Sequence, residues 1–234
     1  MTAKKNKRTS AVVVAFGRFN PPSGGHQLLI ETVQNLASKL GADHAMFSSR
    51  SHDSEKNPLS PSKKFKWLKK LFPKANFTNE SSILTPIDML EYLARIGYTD
   101  VVMVGGEDRA VMYKGFERLL KKTKERKSLP LKSISFKQAG ERRDSNAKGV
   151  AGLSGSKLRQ AVRDNNFKLF SSGLPSTISK LDARGLFDDV KSGMKLKEST
   201  EYSSIFQSTA MRIVESKEDK LGNTTKKWLL NNWN

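Results

Sequence analysis

Two short motifs in this sequence combine the residue types that bind phosphate groups. The first, GRFNPPSGGH, runs from Gly17 to His26 and holds an arginine, a histidine and three glycines. The second, GLSGSKLR, runs from Gly152 to Arg159 and holds two serines, a lysine and an arginine. Backbone amides of a glycine turn, an imidazole and a guanidinium all donate hydrogen bonds to anions. The motifs therefore predict donors for a phosphorylated ligand.

The first motif stands where a strand would give way to a helix. Gly17 lets the chain leave the strand, and Gly24 and Gly25 let the backbone approach a ligand closely. His26 would then lie at a helix N-terminus, where amides and the helix dipole attract anions. Arg18 adds a bidentate donor. The alternative is a tight strand-to-helix turn with a surface histidine.

The second motif opens a predicted helix. Ser154 and Ser156 can cap this helix, and Lys157 and Arg159 fall within its first turn or so. Cations at a helix N-terminus oppose the helix dipole, so an anion between them would explain their position. The alternative is an ordinary serine cap with solvated charges.

Alternating strand and helix patterns position these motifs. Apolar β-branched runs predict strands, and apolar residues at helical spacing predict helices. The predicted strands cover 11–16, 45–48, 100–104 and 131–136, and the predicted helices cover 26–40, 61–72, 86–96, 110–124 and 154–165. This alternation predicts an α/β fold, a Rossmann-like parallel sheet with flanking helices. Ligands of such sheets bind beyond the carboxyl ends of the strands.

A third turn, VGGEDR, follows the predicted strand at 100–104. Its Asp108 is a candidate to contact a ribose, a base or a metal-bound water. The alternative is an ordinary surface turn.

The excess of basic residues indicates which classes of ligand the chain could bind. The chain has 234 residues, with 42 Lys and Arg against 23 Asp and Glu, a formal net charge of +19. This excess favours nucleotides, nucleic acid or an anionic surface. Cysteine is absent, which excludes disulfides and thiolate metal sites, and the three histidines lack zinc-site spacing. No apolar run approaches the roughly 20 residues of a membrane span, so we expect a cytoplasmic protein without a membrane partner.

The two ends of the chain differ from its middle. Residues 1–10 form a basic N-terminal tail, and residues 195–234 form a polar C-terminal extension that contains Trp228 and Trp233. We expect the folded domain to cover 11–194. The extension is predicted to be flexible or to form a helix that packs on the domain or on a partner.

The motifs resemble those of a known superfamily. GRFNPPSGGHQLLI is similar to the nucleotide-binding signature of the HIGH-type nucleotidyltransferases, and LSGSKLR is similar to their second signature, Ser/Thr-x-x-Arg. NPLSPSKKFKWLKKLFP, VGGEDR and SGSKLRQAVRDNNFKLFSSGLP resemble the cytidylyltransferase-like proteins of tailed bacteriophages more closely. The resemblance covers about residues 11–194 and implies a HUP-type nucleotidyltransferase fold.

The resemblance also implies a reaction. A nucleoside triphosphate, CTP or ATP, would lie across both motifs, with Mg²⁺ bound through its phosphates and no metal site on the protein. An oxygen of a phosphorylated small-molecule acceptor would attack the α-phosphorus, and pyrophosphate would leave. The base and the acceptor stay open.

The family's roles carry over by position. His26 would donate to the triphosphate and stabilise the transition state, and Ser23 and Arg159 are further catalytic candidates. Ser23 stands where the family usually has a first histidine, and its hydroxyl can donate to phosphate without carrying charge. The implied nucleotide contacts are Gly17, Arg18, Phe19, Gly25, His26, Asp108, Ser154, Ser156, Lys157 and Arg159. Lys63 and Lys64 are implied phosphate contacts from a loop.

A second interpretation is a weakly active or inactive member of this fold. Such a protein would bind nucleic acid through its basic surface, including the lysine-rich stretch 62–70. It would otherwise be a virion-associated phage protein that contacts the virion or further copies through 195–234.

Overall fold

A five-stranded parallel sheet lies at the centre of the chain. The computed structural model describes residues 9–106, 115–116, 130–139, 154–176 and 178–194. Its strands are β1 (Ala11–Gly17), β2 (Asp43–Ser48), β3 (Phe77–Thr78), β4 (Asp100–Gly105) and β5 (Ser133–Gln138). Their order is β3-β2-β1-β4-β5, and every neighbouring pair is parallel. This is the α/β Rossmann-like fold that the sequence predicted.

Six helices of the described residues accompany the sheet. They are α1 (Gly24–Leu40), α2 (Pro61–Leu71), α3 (Pro86–Arg95), α4 (Gly155–Arg163), α5 (Phe167–Ser172) and α6 (Lys180–Gly193). Each follows a Ser, Thr or Asn at its N-cap position. These short polar side chains can accept hydrogen bonds from the first helical amides, which otherwise lack partners within the helix.

Both faces of the sheet are covered, which explains why β1 is apolar throughout. Val13 and Ala15 of β1 belong to a core that also contains residues of α1, α2, α4, α5 and α6. Val12, Val14 and Phe16 point to a second core that contains residues of α3. Because strand side chains alternate between faces, a strand covered on both sides reads as a continuous apolar run.

The strand order changes direction next to β1. β1 pairs with β2 on one side and with β4 on the other, and the register with β2 continues to the end of β1. In open parallel sheets the crevice at such a point, beyond the carboxyl ends of the strands, is where ligands bind. The first motif leaves the sheet at this edge, because β1 ends at Gly17.

The structure confirms most predicted elements and shifts some of their bounds. α1 begins at Gly24, earlier than predicted, because Ser23 is its N-cap. β5 starts at Ser133 rather than at Leu131. The sequence analysis missed β3, α5 and α6.

Three of the predicted segments lie partly or wholly outside the residues that the structure describes. The helix expected over 110–124 lies outside the described residues except for two helical residues at 115–116. The extension at 195–234 and residues 1–8 of the tail also lie outside them. In the ranges that are described, no helix has both the length and the apolar character needed to cross a bilayer.

Candidate active site

His26 is held in one orientation at the start of α1. It is the third residue of the helix, and its Nδ1 accepts a hydrogen bond from the backbone N–H of Ser23 at 2.9 Å. The Ser23 hydroxyl lies 3.0 Å from the same nitrogen. A neutral imidazole carries one proton, so an accepting Nδ1 puts that proton on Nε2. Nε2 is therefore the ring atom that can donate to a phosphate oxygen.

The ring of Phe19 packs against the ring of His26. Its side chain is completely buried, and its ring centroid lies 4.7 Å from that of His26 and 5.5 Å from that of Phe77. The backbone of Phe19 has φ = 48°, an uncommon value for a residue with a Cβ. A Cβ added at Gly17 would lie 2.8 Å from Cε2 of Phe19, so glycine is needed there for the ring to pack against the strand end.

The second motif meets the first although they are far apart in the chain. Arg159 of α4 donates from Nη1 to the backbone oxygen of Asn20, 139 residues away, at 2.6 Å. Its Nη2 donates to Oγ of Ser156 at 3.0 Å. A Cβ added at Gly155 would lie 3.3 Å from the backbone oxygen of Pro21, so the start of α4 packs closely on the first motif. Both motifs thus belong to one region.

Asn20 joins a third segment to this region. Its Nδ2 donates to the backbone oxygen of Leu59, and the backbone N–H of Leu59 donates to its Oδ1, both at 2.9 Å. The Asn20 side chain is 2% exposed. The reciprocal pair fixes the segment before α2 against the β1–α1 loop. Sequence reasoning missed Asn20, although its place inside the first motif was a signal for it.

Lys64 is a buried cation beside this junction. It lies in the first turns of α2, is 1% exposed, and donates from Nζ to the backbone oxygen of Ser49. Burial, then the charges of Arg50 and Arg18, lowers the pKa of Lys64 from 10.5 to about 7, against the opposing charge of Asp53. A protonated amine has three donors, so two N–H groups of Lys64 have no partner among the described residues.

Arg159 is a second buried cation, 9% exposed. Burial, then the charges of Arg18 and Arg163, lowers its pKa to about 10. Its two hydrogen bonds leave three N–H groups without a partner in the described ranges. Arg18 and Asp53 act on both Arg159 and Lys64, so the two cations share one electrostatic environment.

The carboxylate of Asp53 does not fully neutralise the charges of these cations, because both of its oxygens accept hydrogen bonds from residues of its own loop. Its Oδ1 accepts the backbone N–H groups of Glu55, Lys56 and Asn57 at 2.9, 2.5 and 3.1 Å. Its Oδ2 accepts from Nδ2 of Asn57 at 2.5 Å. Burial pushes the pKa of Asp53 up, but these hydrogen bonds outweigh it and lower the pKa. One carboxylate therefore faces several cations, and the region keeps an excess of positive charge.

The structure gives the surroundings of three further predicted site residues. Lys63 and Lys64 belong to helix α2, as the helix predicted over 61–72 has them, rather than to a loop, and their contact with phosphate stays a prediction. Lys63 pairs through Nζ with Oδ1 of Asp189 in α6 at 2.7 Å. The ring of Phe19 is fully buried beside that of His26, and a contact from Phe19 to the nucleotide stays a prediction.

The structure gives Ser23 a supporting position. It is 1% exposed, caps α1 and lies with its hydroxyl against the His26 ring. A direct contact from this hydroxyl to phosphate stays a prediction. Asp108 lies outside the described residues.

The other predicted residues keep the positions that their motifs implied. Ser154 caps α4 and accepts the N–H of Lys157 at 3.3 Å, and Lys157 is exposed. Gly25 is buried in the first turn of α1, and Arg18 is half-buried beside both cations. The structure therefore brings together donors from both motifs and adds Lys64 from α2.

A separate groove lies away from this region. It has a volume of about 690 Å³ and is lined by His44, Tyr92 and Tyr98, among others, beside the start of β2. None of the predicted site residues lines it. The start of a parallel strand lies at the opposite edge from the carboxyl ends, so this groove is distinct from the site.

Comparisons with known proteins find similarity in fold. No protein-family profile and no curated protein sequence matches the chain. A Vibrio parahaemolyticus protein provisionally assigned as a nicotinate-nucleotide adenylyltransferase matches with a TM-score of 0.48 and 19% identity, over 75% of this chain and 98% of that one. Thermotoga maritima TmcAL bound with alpha-thio ATP matches with a TM-score of 0.42 and 10% identity. That match covers 77% of this chain and 55% of TmcAL, so the chain spans about half of TmcAL.

Proposed function

We propose that the chain is a nucleotidyltransferase, which transfers a nucleoside monophosphate from CTP or ATP to a phosphorylated acceptor and releases pyrophosphate. The observation that carries the proposal is the junction of the two motifs, where Arg159 Nη1 donates to the backbone oxygen of Asn20. Each motif brings donors that the other lacks: an oriented imidazole in the first, and a guanidinium with serines in the second. Their contact supports one binding region for a triphosphate.

The buried cations support an anionic ligand. Lys64 and Arg159 are both buried, and in the described ranges neither forms an ion pair with a carboxylate. Burying a charge without a counter-charge is costly, and the lowered pKa of Lys64 reflects that cost. A polyphosphate would offset it by accepting the remaining N–H donors of both side chains.

Each candidate then has a role toward the triphosphate. His26 would donate its Nε2 proton to a phosphate oxygen, with Ser23 holding the ring in place. Arg159 would bind phosphate oxygens with the donors that Asn20 and Ser156 do not use. The further proposed contacts to the nucleotide are those of Gly17, Arg18, Gly25, Ser154 and Lys157.

The acceptor would bind next to the nucleotide. A small recess of about 10 Å³, room for about one water molecule, lies beyond the carboxyl ends of β2 and β3, and its lining includes Ser49, Arg50 and Lys64. The phosphate group of the acceptor would lie at the mouth of this recess. Its two cations suit an acceptor that carries a phosphate group. Lys64 would thus stand between the two substrates.

The transfer itself needs little covalent chemistry from the protein. An acceptor oxygen forms a bond to the α-phosphorus, and the bond from this phosphorus to the oxygen bridging to the β-phosphorus breaks. That oxygen keeps the electron pair and leaves as part of pyrophosphate. Positioning of both substrates and neutralisation of the charge on the phosphates would provide the acceleration.

Magnesium would be a ligand of the nucleotide in this proposal. The described residues contain no group of three or more His, Cys, Asp or Glu arranged to hold a metal ion. Asp53 has both oxygens engaged by its own loop. In this proposal none of the described residues therefore holds the ion.

Nucleotide binding is tested by thermal unfolding with ATP, CTP, GTP and UTP in turn, each with Mg²⁺. A ligand that binds only the folded protein raises Tm, so at least one triphosphate should do so in a concentration-dependent way. The responding triphosphate is then combined with phosphorylated acceptors, and pyrophosphate release is measured. Absence of a Tm shift with all four triphosphates contradicts the proposal.

The role of His26 is tested by His26→Ala. Loss of a preorganised donor to phosphate should lower the rate of pyrophosphate release about 100-fold or more. His44→Ala is the matched control, since His44 lies beside the separate groove. An unchanged rate in the His26 variant would refute the role assigned to the imidazole.

The alternative of a weakly active binding protein gives a different outcome. A nucleoside triphosphate would then raise Tm, and substitution of Arg159 would abolish this shift, but no acceptor would yield pyrophosphate. Ser23, in place of the family's charged first histidine, is the feature of this chain that favours the alternative.

A further inference from the structure

We propose that the exposed lysines along and just after α2 bind the phosphate backbone of a nucleic acid. These lysines, here called the lysine ridge, are Lys63, Lys66, Lys69, Lys70 and Lys74. The proposal does not depend on nucleotidyl transfer, because the ridge consists of exposed side chains and Lys64, assigned to the site, is buried on the same helix.

The ridge lies in a stretch of sequence without acidic residues. Between Lys56 and Glu80 the chain contains six lysines and neither Asp nor Glu. Exposed helices commonly pair lysine with glutamate four residues away, whereas Lys66 and Lys70 are like charges at that spacing. This arrangement costs stability in the isolated protein and is relieved by an external polyanion.

The rest of the fold neutralises only part of the ridge. Lys63 pairs with Asp189 at 2.7 Å and Lys70 pairs with Asp182 at 2.6 Å, both acids belonging to α6. The remaining ridge lysines, Lys66, Lys69 and Lys74, have no carboxylate at ion-pair distance in the described ranges. Three positive charges therefore stay available to a partner.

Aromatic rings help to hold two of these lysines along the helix. Nζ of Lys66 lies 5.9 Å from the ring centre of Trp67, and Nζ of Lys69 lies 5.5 Å from that of Phe65. Trp67 is itself fixed, because its Nε1 donates to Oδ2 of Asp189 at 2.9 Å. At a rise of about 1.5 Å per residue, the helical part of the ridge spans about 10 Å. That length matches about three successive phosphates of one strand.

A nucleic acid fits this surface better than a membrane does. An amphipathic helix binds a bilayer by inserting its apolar face, but the apolar residues Trp67, Leu68 and Leu71 of α2 are buried against the domain. The exposed large apolar side chains of the described residues are Leu28, Leu40, Leu169 and Leu181, none of them on α2. The ridge offers charge without an insertable apolar face, which suits a phosphate backbone read without sequence preference.

The test is the salt dependence of duplex DNA binding, measured by fluorescence anisotropy from 50 to 300 mM KCl. The comparison is between the unmodified chain and a triple variant, Lys66→Gln, Lys69→Gln and Lys74→Gln. Each lost phosphate contact lowers the slope of log K against log[salt] by about 0.9 in magnitude, so the variant's slope should be smaller by about 2.7. Its Kd at 100 mM KCl should rise at least tenfold.

The matched control removes three charges elsewhere: Lys132→Gln, Lys137→Gln and Lys168→Gln. All three lysines are exposed and lie outside α2: Lys132 and Lys137 are beside and on β5, at the opposite edge of the sheet from β3, and Lys168 is on α5. The control should keep the slope of the unmodified chain. Equal slopes in the two triple variants, or no DNA binding by the unmodified chain, would overturn the proposal.

Two further measurements check that the triple variants are folded and that nucleotide binding is unaffected. Circular dichroism and Tm should be the same for both triple variants, since all six side chains are exposed. The Tm shift produced by a nucleoside triphosphate should also be unchanged in the ridge variant, which separates this proposal from the nucleotidyltransferase one. Binding to vesicles rich in phosphatidylserine that depends on the ridge, without ridge-dependent DNA binding, would assign the surface to membranes and contradict the proposal.

Discussion

Lys64→Met removes the buried charge of the proposed site while nearly preserving the volume of the side chain. The amine is buried, with a pKa lowered from 10.5 to about 7. A lowered amine pKa means that the folded state disfavours the charged form. This penalty is fully present below pH 7 and fades as the pH rises toward the ordinary value, because the unfolded chain then binds more protons than the native one.

The size of the effect follows from the two pKa values. Between pH 6 and pH 9 the penalty decreases by about 3 kcal/mol, at 1.36 kcal/mol per pKa unit. The variant loses the hydrogen bond to Ser49 O at every pH, a cost of about 1–3 kcal/mol. Relative to the unmodified chain, Lys64→Met should therefore be about 3 kcal/mol more favourable at pH 6 than at pH 9. It should also weaken triphosphate binding.

The assay is urea unfolding at pH 6, 7, 8 and 9, with ΔG of unfolding compared between the two proteins. Lys66→Met is the matched control, since this lysine is exposed on the same helix and its loss should change ΔG by less than about 0.5 kcal/mol. A difference between Lys64→Met and the unmodified chain that stays constant from pH 6 to pH 9 would show that the buried amine carries no such penalty. Normal triphosphate affinity in this variant would remove Lys64 from the proposed site.

Two further substitutions test the junction and the support of His26. Arg159→Lys keeps the charge but cannot reach both Asn20 O and Ser156 Oγ, so triphosphate affinity measured by calorimetry should fall about 10- to 100-fold, or about 1.5–3 kcal/mol. Full affinity would show that the fork geometry is unimportant. Gly17→Ala puts a Cβ 2.8 Å from the Phe19 ring, and the overpacking should lower the free energy of unfolding by about 1–3 kcal/mol. An unchanged urea midpoint would contradict the packing of Phe19 against the strand end.

The local features of the site were predictable because neighbouring residues produce them. The apolar run of β1 and the glycines after it predict a buried strand and a turn, and the apolar spacing after them predicts a helix, although its start was placed at His26 rather than at Gly24. The position of His26 in the first turn follows from these signals alone. Likewise, Ser154 and the helical pattern after it place Arg159 near the start of α4.

The tertiary features were not predictable from such signals. Lys64 and Lys63 are adjacent lysines of one helix, but Lys64 is buried against Ser49 and Lys63 pairs with Asp189 of a helix far along the chain. Periodicity places both on α2 only approximately, and which of them is buried depends on how α2 packs on the sheet and on α6. The contact of Asn20 with Leu59 and Arg159 arises in the same way, from segments that meet only in the folded chain.

In the proposed site His26 and Arg159 bind the same triphosphate, and nitrogen NMR of the histidine rings tests this directly. The chain has three histidines, so ¹⁵N-labelled rings give few signals, which His26→Ala and His44→Ala assign. Titration with the Mg²⁺ complex of the triphosphate that raises Tm should shift the Nε2 signal of His26 in a saturable way and leave His44 unchanged. In Arg159→Lys the same shift should need higher ligand concentrations. A triphosphate that saturates the protein without moving the His26 signal, or with the same midpoint in both proteins, would show that the two side chains do not bind the same triphosphate.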